Sequence, residues 1–220
     1  MSNPLVLSTK KLRFHQLERL MAAHCDVVDY DALQIEIQPF SVPKKPNYWV
    51  FSSQNAVRSF LANPTTSGHQ NSILCVGEKT KLLLEENGQK VIKTAQNMLE
   101  LVNFIQKFMK NENFLHICGN RKLADFAAGM QKSGISYAEV TAYHTRLVSR
   151  VQTPEPQGLL FYSPSGVESY LQNNSIGESW CFCIGETTAT AVRPLTKHLT
   201  VSPKPDADLL VAAAATHFRR

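Results

Sequence analysis

The sequence predicts an α/β fold made of two similar domains, each with a parallel sheet flanked by helices. Strands and helices alternate along the whole chain, which is typical of parallel sheets with right-handed crossovers. The segment Phe-Ser-Ser-Gln-Asn-Ala-Val at 51–57 returns 110 residues later as Phe-Tyr-Ser-Pro-Ser-Gly-Val at 161–167. The segment Cys-Val-Gly-Glu-Lys-Thr at 75–80 returns 108 residues later as Cys-Ile-Gly-Glu-Thr-Thr at 183–188. Such a long repeat indicates two domains rather than a solenoid, whose repeats span about 20 to 50 residues.

Hydrophobic spacing and turn residues define the individual elements. Residues 14–23 carry apolar side chains at helical spacing, whereas residues 32–39 alternate as an extended segment does. Gly88 and Gly134 end predicted helices. The predicted strands are 5–7, 32–39, 48–51, 73–76, 91–92, 114–118, 137–145, 159–162, 181–184 and 199–201. The predicted helices are 14–23, 55–62, 80–87, 98–109, about 122–132, one that starts at 165, 188–195 and 207–217.

Prolines and a second repeat bear on the domain boundaries. Pro39, Pro43 and Pro46 predict one linker, and Pro154 with Pro156 predicts another. The first strand and its helix also resemble strand 115–117 and its helix. The spacing leaves open which of these two opening units joins which remaining segment.

Composition restricts the classes of function. Hydrophobic residues make up 43% of the 220-residue chain and charged residues 19%, which is typical of an ordinary globular protein. The net charge of +5 favours an acidic ligand, although a merely solvated basic surface explains it equally well. An arginine-rich tract is missing, so we do not expect a nucleic-acid partner. The sequence has no signal-peptide pattern and no apolar run near the roughly 18 residues of a membrane span, so we expect a cytoplasmic protein.

The cysteines predict buried free thiols. The chain has five of them, an odd number without Cys-x-x-Cys spacing, which argues against a disulfide framework and favours a reducing compartment. Four lie in apolar runs that predict buried strands. Cys181 and Cys183 could share one strand face, but no paired histidines accompany them, so we expect no metal site.

The repeated turns carry the candidate binding residues. Ser53, Asn55, Ser163 and Ser165 each follow a strand and precede a helix, and Ser165 with Glu168 fits a capping box. They could serve only as helix caps. However, the carboxyl ends of parallel strands are where ligands of open α/β sheets bind, and helix N-termini suit carboxylates or phosphates. Because both halves keep the same turn, we favour a ligand-facing role.

The second repeated motif adds four further candidates. Gly77 and Gly185 would let a ligand approach the backbone closely, and Thr80 and Thr188 offer a cap or a ligand hydrogen bond. Neither copy fits a Walker loop or a dinucleotide fingerprint, so we expect no ATP or NAD cofactor.

Catalytic machinery of the hydrolytic kind is not visible in the sequence. The seven histidines are scattered, and no serine lies in a Gly-x-Ser-x-Gly motif. His116 lies in a predicted buried strand, where a satisfied core residue is the favoured interpretation. Tyr143 ends an extended segment, where packing is the more common role.

Five segments taken in order resemble the uroporphyrinogen-III synthase family over essentially the whole chain. They are the two copies of each repeated motif and Ala-Tyr-His-Thr at 142–145. The family's first strand commonly ends in Thr-Arg-Pro, whereas this chain has Ser8, Thr9 and Lys10. The resemblance implies a bilobed fold of flavodoxin- or Rossmann-like domains joined by a two-stranded β linker. It assigns 1–37 with 152–220 to one domain and 41–147 to the other, with linkers at about 38–40 and 148–151.

The resemblance also implies an activity. The family cyclises the linear tetrapyrrole hydroxymethylbilane, with inversion of ring D and loss of water, and needs no cofactor or metal. Tyr143 matches the family's tyrosine after the inserted domain and is the candidate that assists departure of the hydroxyl. The implied protein is a monomer whose substrate is a polycarboxylate. The candidate substrate-binding residues are Ser53, Asn55, Gly77, Thr80, Gly119, Arg121, Ser163, Ser165, Gly185 and Thr188.

Two other classes of function remain as alternatives. A non-catalytic protein could close two lobes on an acidic small molecule as a sensor or carrier, although 220 residues leave no room for an output module. A nucleotide-sugar transferase could also use two facing α/β domains, but the sequence shows no carboxylate that would bind a ribose.

Overall fold

The computed structural model describes residues 3–42, 46–66 and 72–219, so Pro43 of the predicted linker lies outside the described residues. The strands are β1 (Leu5–Ser8), β2 (Asp26–Asp29), β3 (Leu33–Ile37), β4 (Tyr48–Phe51), β5 (Ser72–Val76), β6 (Val91–Ala95), β7 (Asn113–Gly119), β8 (Ser136–Leu147), β9 (Gly158–Phe161), β10 (Trp180–Cys183) and β11 (Leu199–Val201). The α-helices are α1 (Phe14–Met21), α2 (Gln54–Ala62), α3 (Glu78–Glu86), α4 (Met98–Phe108), α5 (Asp125–Lys132), α6 (Pro164–Leu171), α7 (Glu186–Val192) and α8 (Ala207–Phe218).

The strands form two sheets, and the α/β prediction is confirmed. One sheet has the order β11-β10-β9-β1-β2 and the other β3-β8-β7-β4-β5-β6. The strand pairs from β11 to β2 and from β8 to β6 are parallel. At the remaining edge, hydrogen bonds join Gln38 to Ala142 and Val148 to Ala32, so β3 runs antiparallel to β8.

Apart from the edge strand β3, the two sheets have the same strand order. β1 lies between β9 and β2, just as β7 lies between β4 and β8. The first strand of the chain therefore pairs with the second copy of the repeated turn rather than with the first. Hydrophobic spacing alone leaves this pairing open.

The chain forms two compact units. One contains residues 1–34 and 146–220, and the other contains residues 35–145. We call them unit 1 and unit 2. Both crossings between the units fall inside strands, one in β3 and one in β8.

Each sheet is buried on both faces, as parallel sheets require. Along β9, Leu159 and Phe161 join one core cluster of unit 1 whereas Leu160 joins the other. Along β4 in unit 2, Trp49 and Phe51 pack with α2 and α3, while Val50 packs with α4 and α5. All five cysteines are free and buried, and the four in apolar runs lie in strands as predicted.

Two local features differ from the sequence prediction. β2 was not predicted, because Asp-Val-Val-Asp is too short and too charged to show strand periodicity. The alternation in β3 does not mark a buried face, since Ile35 and Ile37 are 39% and 52% exposed. Within the described ranges, none of the helices combines the length and apolar character needed to cross a membrane.

Candidate active site

Ser53 caps the helix that follows β4 and also contacts Tyr143. Its Oγ accepts the Ala56 N–H at 3.1 Å and lies 2.9 Å from the Tyr143 hydroxyl oxygen. The extended backbone of Ser53 is the usual N-cap conformation. Asn55 lies in the first turn of α2, where its Oδ1 accepts a hydrogen bond from Arg58 at 3.2 Å. Ser53 is therefore a helix cap that also holds the Tyr143 hydroxyl, and its ligand-facing role stays a prediction.

A β-bulge turns Tyr143 toward Ser53. The pairing between β7 and β8 shifts after Cys118, so that Gly119 lies opposite Tyr143 instead of Ala142. Strict alternation would put Tyr143 on the face opposite Ala142, but both pack with the same core cluster. A Cβ on Gly119 would lie 2.5 Å from the Tyr143 ring, so only glycine leaves room for the ring in this position.

The environment of Tyr143 keeps its phenol neutral. Burial raises the pKa of Tyr143 above its ordinary value of 10.0, and the hydrogen bond with Ser53 opposes this only in part. The group is therefore a weak proton donor at neutral pH rather than a base.

His116 links three polar side chains in series. Its Nε2 lies 3.1 Å from Ser52 Oγ, and its Nδ1 lies 2.9 Å from a Glu139 carboxylate oxygen. The other Glu139 oxygen accepts from the Lys122 ammonium at 2.5 Å. Burial alone would raise the pKa of Glu139, but the hydrogen bonds from His116 and Lys122 outweigh it and hold the pKa below 4.5. His116 is 1% exposed with both nitrogens engaged, as a satisfied core histidine should be.

His116, Cys118 and Glu139 also bring ligand-type atoms within 4.8 Å of one another. A metal there would have to displace the Lys122 ammonium from Glu139 and break a hydrogen bond of His116. Burial raises the pKa of Cys118 to about 11, so its thiol is protonated at neutral pH. We therefore do not assign a metal to this cluster.

Gly77 directly follows β5 at the same edge of unit 2 and caps α3. Its φ of +85° is a conformation that favours glycine, and no atom lies within 4 Å of a Cβ built there. Thr80 lies inside the helix and is 5% exposed. After β7, Arg121 is exposed in the loop that leads to α5.

In unit 1, Ser163 is the cap, and the predicted capping box of Ser165 and Glu168 is wrong. Ser163 Oγ accepts the Gly166 N–H at 3.1 Å, and Pro164 is the first helical residue. Proline favours that position because its missing N–H would have no helical partner there. Ser165 consequently lies within α6.

The second motif of unit 1 also places its glycine at a helix start. Gly185 caps α7 in an extended conformation, and Thr188 is 3% exposed inside the helix. A Cβ on Gly185 would meet no atom within 4 Å. In both units, then, the glycine and not the threonine is the cap.

Unit 1 contains a polar network that the sequence did not reveal. Ser8 pairs with Leu160 and Asp29 just as His116 pairs with Val50 and Glu139, so the positions are equivalent. Asp29 accepts hydrogen bonds from the Lys11 ammonium and the Leu12 N–H, both at 2.8 Å. A carboxylate on the neighbouring strand therefore binds a loop lysine in each unit. Only the strand pairing discloses this repeat, because Ser8 stands in one unit where His116 stands in the other.

The Asp29 contacts predict a pH-dependent contribution to stability. Burial would raise the pKa of Asp29, but the hydrogen bonds from Lys11 and Leu12 outweigh it, so the pKa lies below 3.8. The stabilisation is therefore complete at pH values above 3.8, the ordinary pKa that applies in the unfolded state. It is lost as the pH falls through the lowered folded-state pKa. Asp29→Asn should lower the free energy of unfolding by about 1 to 2 kcal/mol at pH 7. In urea titrations the loss should shrink toward zero as the pH falls below that lowered pKa, where the carboxyl is protonated in both states.

An exposed aspartate in the same strand is the control for that series. Asp26→Asn removes a carboxylate whose side-chain hydrogen bond, with Asn3, is exposed. It should change the stability by less than about 0.5 kcal/mol at either pH. A loss in Asp29→Asn that does not vary with pH would show that the carboxylate charge is not the cause.

Known proteins resemble this chain in both sequence and fold. The family model described as Uroporphyrinogen-III synthase HemD matches residues 10–212. No curated protein matches the sequence at a significant level. The crystal structure of uroporphyrinogen-III synthetase from Helicobacter pylori is 17% identical with a TM-score of 0.73, covering 98% of this chain and 99% of that one. A mutant uroporphyrinogen III synthase from the extremely thermophilic bacterium Thermus thermophilus is 12% identical with a TM-score of 0.69, covering 98% of each chain.

These likenesses agree with each other. At such low identities, the two structures establish the fold. The family model spans most of the chain and both copies of the repeated turns. The chain therefore belongs to the uroporphyrinogen-III synthase HemD family.

Proposed function

We propose that this chain works as a cofactor-independent hydro-lyase in which Tyr143 assists the loss of the substrate's hydroxyl. The family's reaction belongs to tetrapyrrole synthesis and closes hydroxymethylbilane to uroporphyrinogen III with inversion of ring D. The observation that carries the mechanism is the buried Tyr143 phenol, hydrogen-bonded to Ser53 at the carboxyl edge of the unit 2 sheet. A neutral phenol can donate a proton but is too weak an acid to dominate the rate.

The protons that the reaction takes up and releases balance with Tyr143 as the weak acid. As the C–O bond breaks, the Tyr143 hydroxyl donates its proton to the departing hydroxyl, which leaves as water. Because ring D is inverted, the resulting azafulvene cation first bonds to the ring D carbon that carries the bridge to ring C. That bridge bond breaks and leaves a second azafulvene cation on ring C, which bonds to the other, hydrogen-bearing α-carbon of ring D. This carbon loses its proton when the pyrrole regains aromaticity. That proton returns the tyrosine to its neutral form. The first cation closes unaided to the wrong isomer, so the protein acts chiefly by holding one conformation of the substrate.

Binding of the substrate's eight carboxylates falls to the carboxyl edges of the two sheets. The first turns of α2, α3 and α6 expose backbone N–H groups with partial positive charge, which suit carboxylates. We propose contacts from Ser53, Asn55 and Gly77 in unit 2, together with Gly119 and Arg121. In unit 1 the candidates are Ser163, Ser165 and Gly185. Thr80 and Thr188 are nearly buried, so their part is mainly to support the first turns that bind the ligand.

The remaining proposals concern the compartment, the oligomeric state and the partners of the protein. We propose a cytoplasmic monomer that binds no nucleic acid. Five free buried thiols support a reducing compartment, and the charge of +5 suits a small polyanion. Light scattering after gel filtration should give a mass near 24.6 kDa. A mass twice that value would contradict the monomer.

The activity is tested by product isomers. The protein is incubated with freshly generated hydroxymethylbilane, and the oxidised products are separated into type I and type III. We expect type III to dominate at high enzyme concentration. Exclusive type I product would rule out synthase activity and favour a non-catalytic binding protein.

Tyr143→Phe tests the proposed proton donor. The variant should fold normally, because it keeps the ring that packs over Gly119. Its rate should fall, but by less than the roughly 100-fold at the lower end of general acid catalysis. The fraction of type III product should stay high, since the substrate is still held in one conformation. A variant with the full wild-type rate would remove Tyr143 from the mechanism.

A further inference from the structure

A series of four hydrogen-bonded side chains lies on the face of the unit 2 sheet opposite Tyr143. Its members are Ser52, His116, Glu139 and Lys122. His116 contacts the ring of Phe126 at a centroid distance of 4.7 Å, in the layer formed with α4 and α5. Tyr143 packs in the other layer, with α2 and α3. Ser52 is half-buried and directly follows β4. It therefore lies at the carboxyl edge of the sheet, on the face of His116.

For a neutral imidazole, hydrogen-bond polarity gives the direction of each proton in the series from Lys122 to Ser52. Lys122 holds Glu139 ionised, and an ionised carboxylate can only accept hydrogen bonds. His116 Nδ1 must therefore carry a proton and donate to Glu139. In a neutral imidazole the other nitrogen then has a lone pair, so Nε2 accepts the Ser52 O–H. The proton of Ser52 points inward, and only oxygen lone pairs remain to face a ligand.

We propose that Ser52 is a substrate-binding residue that accepts a hydrogen bond from a pyrrole N–H, with His116 and Glu139 as positioning residues. This rests on the proposed function above. The substrate offers two kinds of polar group, carboxylates that accept and pyrrole N–H groups that donate. Helix N–H groups serve the carboxylates, whereas Ser52 presents an acceptor and repels them. One sheet edge thus distinguishes the ring nitrogens of the tetrapyrrole from its acidic side chains.

A hydrolytic function for the same three residues is less consistent with the geometry. The distances of 3.1 Å and 2.9 Å would suit a Ser-His-Glu triad. In a hydrolase, however, the histidine must also reach the leaving group. His116 is 1% exposed and lies beneath Ser52, so it cannot make that contact.

The direction of the protons can be measured without any turnover. Two-bond proton–nitrogen correlation spectra of protein labelled with ¹⁵N-histidine distinguish the two neutral tautomers. We expect the assigned His116 signal to show the proton on Nδ1. The opposite tautomer, or an imidazolium with protons on both nitrogens, would overturn the proposal, whatever the activity of the protein.

Steady-state kinetics test the contact itself. Ser52→Ala should raise KM for hydroxymethylbilane by about 3- to 10-fold, the equivalent of one neutral hydrogen bond, with kcat changed less than about 2-fold. Ser52→Thr keeps the hydroxyl and should restore most of the affinity. Glu139→Gln can donate to Nδ1 and so permits the other tautomer, and its KM should rise as in Ser52→Ala.

A matched control separates this contact from general effects of losing a hydroxyl. Thr65→Ala removes an exposed unit 2 hydroxyl that donates to the Phe40 carbonyl and the Asn63 side chain, and it should leave KM unchanged. If wild type forms the type III isomer while Ser52→Ala keeps the KM of Thr65→Ala, the Ser52 proposal fails and the synthase function stands. If wild type forms only type I, the proposed function fails, and the proposed contact fails with it.

Discussion

Gly119→Ala should lower the rate of type III isomer formation by about 100-fold, more than Tyr143→Phe does. The added methyl group would lie 2.5 Å from two carbons of the Tyr143 ring and 2.9 Å from its hydroxyl oxygen. The ring must move by about 1 Å to restore van der Waals contact. Such a move breaks the hydrogen bond with Ser53, whose oxygen also caps α2. The substitution therefore disturbs the proton donor and the helix start together.

A glycine at the end of α5 provides the control for that experiment. Gly134→Ala meets no atom within 4 Å, but its φ of +63° costs an L-residue about 1 to 2 kcal/mol. We expect Gly134→Ala to lose stability at full activity, and Gly119→Ala to lose activity in excess of any stability change. Adding Tyr143→Ala to Gly119→Ala should recover stability but not rate. Wild-type turnover in Gly119→Ala would show that the position of Tyr143 does not matter.

The sequence predicted most strands and helices because parallel strands are short continuous apolar runs and the helices carry clear end signals. The serine that caps α6 could also have been identified. Pro164 is favoured at the first helical position, which makes Ser163 the cap, whereas the capping-box pattern pointed to Ser165. Here a backbone constraint outweighs a side-chain pattern, because proline fixes φ and needs no hydrogen-bond partner.

The arrangement around Tyr143 could not be predicted from local sequence. Alternation along β8 would place Tyr143 on the same face as Glu139, and the bulge opposite Gly119 reverses this. The bulge depends on the pairing of two strands that are separate in the sequence. Likewise, His116 meets Glu139 only because β7 and β8 are neighbours, and Ser52 joins them from the end of β4. The register between paired strands, which the periodicity of a single strand does not show, brings these side chains together.

Phe126→Ala is expected to have the largest effect on stability, about 3 to 5 kcal/mol in the free energy of unfolding. Phe126 is completely buried, and its ring centroid lies 4.7 Å from that of His116 and 5.7 Å from that of Tyr137, whose ring is perpendicular to it. Truncation removes a large apolar side chain and leaves a cavity in the α4–α5 layer of unit 2. Leu123→Ala, in the loop before α5, removes a side chain that is 75% exposed and should cost less than about 0.5 kcal/mol.

The two tryptophans allow this loss to be followed in each unit. Trp49 is buried in unit 2, and Trp180 lies in unit 1, so Trp180→Phe and Trp49→Phe each leave one fluorescent reporter. In guanidinium titrations, Phe126→Ala should shift the Trp49 transition by about 3 to 5 kcal/mol, the expected cost of truncating a buried phenylalanine. A shift below about 1 kcal/mol would mean that the layer collapses into the cavity without loss of stability.

Because that cavity borders His116, the variant should also loosen the hydrogen bonds that orient Ser52. The KM of Phe126→Ala should then rise toward that of Ser52→Ala under conditions where unit 2 remains folded. The packing of α5 would in this way determine how well the Ser52 hydroxyl is oriented at the sheet edge.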